Sequence, residues 1–136
     1  MGEPGEGLEV LSEQKCIDLL ATRELGRIAF PVGDHTEIFP VNYATDGAIV
    51  VFRTAPGTKL TLLPVSNASF EVDDWDPAAG VGWSVVIKGV AREVTGEVNP
   101  FSATLRTRKV FPLVPGEHEH WMALYPSEIS GRRFQR

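Results

Sequence analysis

Apolar and polar positions alternate along this chain mostly with a period of two, in short runs separated by glycine, proline, asparagine and aspartate. One stretch is spaced like a helix: Leu11 to Arg23 places Cys16, Ile17, Leu19, Leu20 and Ala21 on one side. Ser12 is positioned to cap it, Glu13 sits at the positive end of its dipole, and Gly26 marks its stop. Strand patterns follow at Arg27–Val32, Thr36–Ala44 and Ala48–Arg53, with turns at Gly33-Asp34 and Asp46-Gly47. Three consecutive antiparallel strands are therefore expected. Pro40 removes a backbone donor from the second of them, which points to an edge, a bulge or a ligand-facing position.

Further along, Leu60, Leu62 and Leu63 require burial, and a short helix from Gly57 to Leu63 ending at Pro64 would provide it. Ala68–Asp73 alternates Phe70 and Val72 with Glu71 and Asp73, the mark of a sheet with one wet face. A loop is expected through Asp74, Trp75, Asp76 and Pro77. The longest strand pattern is Trp83–Thr95, with Gly89 as a bulge or bend. Asn99-Pro100 opens a second helical pattern carrying Arg106, Arg108 and Lys109, and His120–Tyr125 reads as a last strand. About six strands with two or three short helices outside them make a mostly β protein, a small antiparallel barrel.

Composition changes this picture little. The 136 residues suit one domain, here 11–136, preceded by a Gly/Glu/Pro-rich flexible tail over 1–10. No apolar run approaches the roughly 20 residues of a membrane-spanning helix, and the N-terminus lacks the apolar core of a secretory signal. A single cysteine, Cys16, excludes an internal disulfide and fits a cytoplasmic protein. A formal net charge of −5 argues against a nucleic-acid partner.

Candidate chemistry concentrates after the Asp46-Gly47 turn. Arg53, Thr54, Thr58 and Lys59 place two cations and two hydroxyls within seven positions, a donor set suited to a phosphate. Solvated surface charges beside a turn would also account for them. A loop leading into a short helix adds free backbone N–H groups, which favours the phosphate. Pro40-Val41-Asn42-Tyr43 offers hydrogen bonds and a flat face to a planar ring, or simply an irregular edge strand. Trp83, Trp75 and Trp121 fit core anchors, and Ser84 a strand-end hydroxyl. His118 and His120 share a strand face without further ligands, so no metal site is assigned, and His35 is expected in solvent. Cys16 lies on the apolar helix face, where thiols are inert. No side chain is an evident general base.

Taken in order, Gly-Arg-Ile-Ala-Phe, Pro-Val-Asn-Tyr, Phe-Arg-Thr-Ala-Pro-Gly-Thr-Lys-Leu, Phe-Glu-Val-Asp-Asp, Gly-Trp-Ser-Val-Val-Ile-Lys-Gly and Ser-Gly-Arg-Arg-Phe resemble the pyridoxamine 5′-phosphate oxidase-like FMN-binding split-barrel family. The resemblance runs from Leu11 onward. It implies a six-stranded antiparallel split β-barrel of Greek-key type and a homodimer with two flavins in clefts between the subunits. It further implies that Pro40, Val41, Asn42 and Tyr43 lie along the isoalloxazine ring, largely through backbone groups. Thr54, Thr58 and Lys59 would face the phosphate with Arg53 nearby, and Trp83 and Ser84 would sit beside the ring. The expected activity is an FMN-dependent oxidoreductase acting on a small molecule. Thr58 stands where the oxidases carry a second cation, and no Arg-Leu-His-Asp-Arg-like segment closes the chain, so oxidation of pyridoxamine phosphate itself is not expected. The alternatives are an F420-binding reductase, with Arg132, Arg133 and Arg136 receiving the acidic tail, a non-catalytic flavin- or haem-binding protein, and a scaffold.

Overall fold

The computed structural model describes residues 7–54, 65–94 and 120–136. Seven strands and one helix follow in the order β1 (Leu8–Val10), α1 (Glu13–Leu20), β2 (Leu25–Val32), β3 (His35–Asp46), β4 (Ile49–Thr54), β5 (Val65–Asp76), β6 (Val81–Glu93) and β7 (His120–Gln135). All pairings are antiparallel, in the order β1-β7-β4-β3-β2-β5-β6, with a further β7–β6 pairing. Six strands, β2 to β7, therefore close into a ring, and β1 is appended to it. Strands β2, β3 and β4 form a meander, and β5 returns to lie beside β2. That is the Greek-key arrangement.

The mostly β, six-stranded barrel expected from the sequence is present, with three differences. Residues 8–10 form a strand instead of ending a tail, because Leu8, Glu9 and Val10 pair with Phe134, Arg133 and Arg132. The basic C-terminus is strand as far as Gln135, since β6 pairs with it along almost its whole length. The expected loop through Asp74, Trp75 and Asp76 continues β5 against Gly82, Trp83 and Val81. Of the two or three helices expected, α1 is described; those placed at 57–63 and after Asn99 lie outside the described residues.

Alternation along each strand sends one set of side chains into the barrel. Ile28, Phe52, Phe70, Val72, Val85, Ile87, Met122 and Leu124 are all fully buried there. Each large apolar side chain so buried contributes about 1.5–3 kcal/mol. The helix α1 adds Cys16 and Leu20 to the same core, while its Ser12 hydroxyl accepts from the Lys15 backbone N–H at 3.1 Å as the N-cap.

Two glycines make the closure possible. A side-chain carbon at Gly89 would overlap the Tyr125 carbonyl, and the β6–β7 register shifts between Lys88 and Gly89, the bulge expected from the sequence. At Gly131 the same carbon would stand 2.6 Å from Cys16 Sγ and 3.1 Å from the Ser84 carbonyl oxygen. The bare backbone of β7 is what lets α1 settle onto the barrel.

Outside the barrel, Arg27 on β2 faces Glu71 on β5 in register. Its guanidinium bonds the Glu71 carboxylate through both Nε and Nη2 and lies 3.1 Å from Asp73 Oδ2. Burial, reinforced by the neighbouring Asp73 carboxylate, pushes the Glu71 carboxyl above its usual range despite the attached guanidinium. The folded state then holds the Glu71 proton more tightly than the unfolded chain does. Stability from this group is thus greatest in acid and falls as pH rises through the raised value.

Two expectations follow. Gly131→Ala should cost about 1–3 kcal/mol in urea denaturation, and Cys16→Ala in the same chain should recover part of that loss, giving a coupling of roughly 0.5 kcal/mol or more; strictly additive effects would contradict the contact. Asp73→Asn should bring the Glu71 midpoint down towards the ordinary glutamate range in an NMR titration and flatten the loss of stability above it. An unmoved midpoint would show that Asp73 has no part in the shift.

Candidate functional site

The sequence-derived site residues fall at two ends of the barrel. Tyr43 pairs with Phe52, so β3 carries Pro40 to Tyr43 alongside Arg53 and Thr54 at the end of β4. These two groups are brought together. Thr58 and Lys59 belong to the segment that leaves β4 and lie outside the described residues, as do His118 and Glu119.

Trp83 and Ser84 are elsewhere. Arg53 is opposite Trp121 on β7, whereas Trp83 is opposite Arg133, twelve residues further along the same strand. At about 3.3 Å per residue that is up to roughly 40 Å of strand. The register therefore does not make Trp83 and Ser84 neighbours of Arg53 within one chain.

Strand parity decides what each residue presents. Val41 and Tyr43 point into the core, each 3% exposed. The Tyr43 hydroxyl donates to the Leu20 carbonyl at 2.6 Å, satisfying a carbonyl at the C-terminal end of α1, and its ring stands edge-on to Phe70 at 4.8 Å. Burial pushes its phenol well above the ordinary range, so it remains a neutral donor. The flat face expected from Tyr43 is thus turned inward, because period-two alternation from Val41 leads it to the core. Pro40 and Asn42 take the opposite, outer face.

Pro40 is exposed and opposite Arg27 in β2, while β3 meets β4 only from Tyr43 to Asp46. The proline therefore occupies a half of β3 with a described ladder on one side alone, where a missing donor costs little.

On the outer face of β4 and β7, Val51 is opposite Ala123 and Arg53 is opposite Trp121. Val51 and Ala123 are fully buried although they point away from the barrel interior, covered in part by Ile49, Val94, Trp121 and Tyr125. The Arg53 guanidinium carbon lies 4.8 Å from the Trp121 ring centroid. That stacking orients the plane of the cation. Trp121 is the residue that sequence reasoning assigned to the core. Its signal was present in His120-Trp121-Met122-Ala123-Leu124-Tyr125, where Trp121 and Tyr125 share the face opposite to Met122 and Leu124. The partner on that face, Arg53, is set by the β4–β7 register.

The remaining candidates are accounted for simply. Cys16 is fully buried and its thiol is pushed up by burial, then by the nearby Glu13, so it is a packing residue. The His35 side chain is 58% exposed at the β2–β3 turn, with Nδ1 3.3 Å from Asp34 and Nε2 3.6 Å from Glu37. No helix among the described residues is long and apolar enough to cross a membrane.

Comparison with known proteins places this geometry. A FAD-binding protein of Mycobacterium smegmatis is 38% identical, with a TM-score of 0.76 over 93% of this chain and 98% of that one. A candidate pyridoxamine 5′-phosphate oxidase of Corynebacterium glutamicum is 30% identical, with a TM-score of 0.82 over 96% and 95% of the two chains. An uncharacterised protein of Mycobacterium tuberculosis is 30% identical over 129 residues, 90% of this chain and 83% of that protein. The sequence model of the pyridoxamine 5′-phosphate oxidase family matches residues 12–133, from the N-cap of α1 to near the end of β7, and this chain belongs to that family.

Proposed function

We propose that this chain is a flavin-binding oxidoreductase whose cofactor lies on the outer face of β3 and β4, with its phosphate at the Arg53 end. The observation that carries this reading is the 38% identity, with near-complete mutual coverage, to a protein that binds FAD.

The residues present fit such a group. Arg53 offers a guanidinium held in plane by Trp121, and the segment leaving Thr54 adds Thr58 and Lys59 in sequence. Pro40 and Asn42 line the neighbouring strand on the same outer side, where a planar ring can meet backbone groups as well as side chains. Bound flavin would supply hydride and single-electron transfer, and the protein's share is to hold and orient it. In that role Arg53 neutralises phosphate charge, and the outer strand face excludes water from one side of the ring.

The mononucleotide is the part of the cofactor this set recognises. FMN consists of that part alone, and FAD carries it with an added nucleotide. The chain is further proposed to act as a homodimer, since Trp83 and Ser84 could join this cleft only from a second copy.

Purified protein, desalted after mixing with FMN, FAD or F420, should retain flavin bands near 370 and 450 nm. Retention of F420 alone would replace the flavin with the deazaflavin. Lys59→Ala should weaken FMN by about 1.5–3 kcal/mol in a fluorescence titration, and parental affinity in that variant would remove the loop from the site. Sedimentation of the flavin-loaded protein as a monomer would rule out a shared cleft.

A further inference from the structure

Strand parity puts one polar side chain where packing alone does not account for it. Asn42 lies on the outer face of β3, yet it is only 8% exposed. Thr45, the other buried polar residue among those described, shares the inward parity of Val41 and Tyr43. Among the described residues the Asn42 carboxamide has no hydrogen-bond partner. A buried amide left unpaired carries the full cost of its desolvation, so a partner from outside the fold is its natural explanation.

The neighbours of Asn42 indicate what that partner would be. Leu25 is opposite it on β2 and half exposed. On its other side Tyr43–Phe52 is the last β3–β4 pair, and one step beyond that pair Asn42 stands level with Arg53. The Arg53 guanidinium is drawn to the far side, over Trp121 of β7. Pro40 lies two positions from Asn42 on β3, exposed on the same outer face. The backbone of Arg53 is thus about 5 Å from that of Asn42 across the sheet, and Pro40 is roughly 7 Å from it along the strand. Asn42 therefore sits between the residue assigned to the ring, Pro40, and the residue assigned to the phosphate, Arg53.

Between its ring and its phosphate a flavin nucleotide carries the ribityl chain, a row of hydroxyl groups. Resting on the flavin reading above, we propose that the Asn42 carboxamide binds a ribityl hydroxyl and makes the site selective for a polyol linker over a plain alkyl one. A carboxamide sets an acceptor oxygen beside a donor NH₂, and a hydroxyl both donates and accepts, so the two match in either direction. An alkyl linker would leave the amide buried and unpaired under the ligand. Sites built to hydrogen-bond a hydroxyl reject analogues that lack it for this reason.

The test is a fluorescence titration of the parent and of Asn42→Leu with two compounds: FMN, and the FMN analogue in which an unsubstituted phosphopentyl chain replaces the phosphoribityl chain. The parent should prefer FMN about tenfold or more. Asn42→Leu should reduce that preference to about threefold or less by weakening FMN, with the affinity for the analogue unchanged. Asn42→Ala should give the same result where leucine is not accommodated. Equal affinity of the parent for both compounds, or an undiminished preference in the variants, would overturn this proposal and leave the flavin reading standing. Failure of the parent to bind either compound would overturn both.

Discussion

The barrel depends on one strand being able to satisfy neighbours on both sides at once. Strand β7 pairs with β4 through His120–Leu124 and with β6 through Met122–Gln135, and it also receives β1 at Arg132–Phe134. Remove it, and β4 and β6 become open edges whose backbone groups need other partners. A closed ring has no such edges. Reaching around the barrel demands a bulge and a close crossing, and the chain meets both with glycine, at Gly89 and Gly131. The second of these also seats α1, so closure of the sheet and docking of the helix share one position.

That closure divides the molecule into an interior and two chemically different ends. The interior is apolar and well filled, with Tyr43 as a polar member whose hydroxyl serves the α1 terminus. One end presents Arg53 over Trp121 at the point where the chain leaves β4. The other presents Asp74, Trp83 and Arg133 in a single row beneath Lys15. Each end sets a cation beside an indole, stacked at 4.8 Å for Arg53 on Trp121 and by cross-strand register for Arg133 and Trp83. They differ in what surrounds it: a strand face bordered by Pro40 and Asn42 in one case, a groove walled by a helix in the other. Antiparallel registry, which makes neighbours of residues far apart in sequence, assembled both.

Much of this was legible from the chain alone. Period-two alternation identified most of the strands and the inward pair Phe70 and Val72, because a half-buried sheet imposes that period directly on side-chain chemistry. The Leu11–Arg23 spacing, with Ser12 ahead of it, identified α1 for the equivalent reason at helical period. Motif order supplied the family. Less legible were strand ends and short additions. Leu8–Val10 is too brief to show any period, and the Ser-Gly-Arg-Arg-Phe terminus looks like a basic tail until β6 and β1 are set beside it.

What the sequence by itself determined is therefore the local part: the type of each long element, the turns at Gly33-Asp34 and Asp46-Gly47, the bulge at Gly89 and the residue types available for binding. Tertiary structure decided which of those residues meet. It turned Tyr43 inward, set Trp121 against Arg53, and separated Trp83 from both by twelve positions of β7. The physical reason is that alternation tells only which of two faces a residue takes, whereas the identity of its neighbour depends on register. Register is set by the closure of the whole barrel, and no short stretch of the chain contains it.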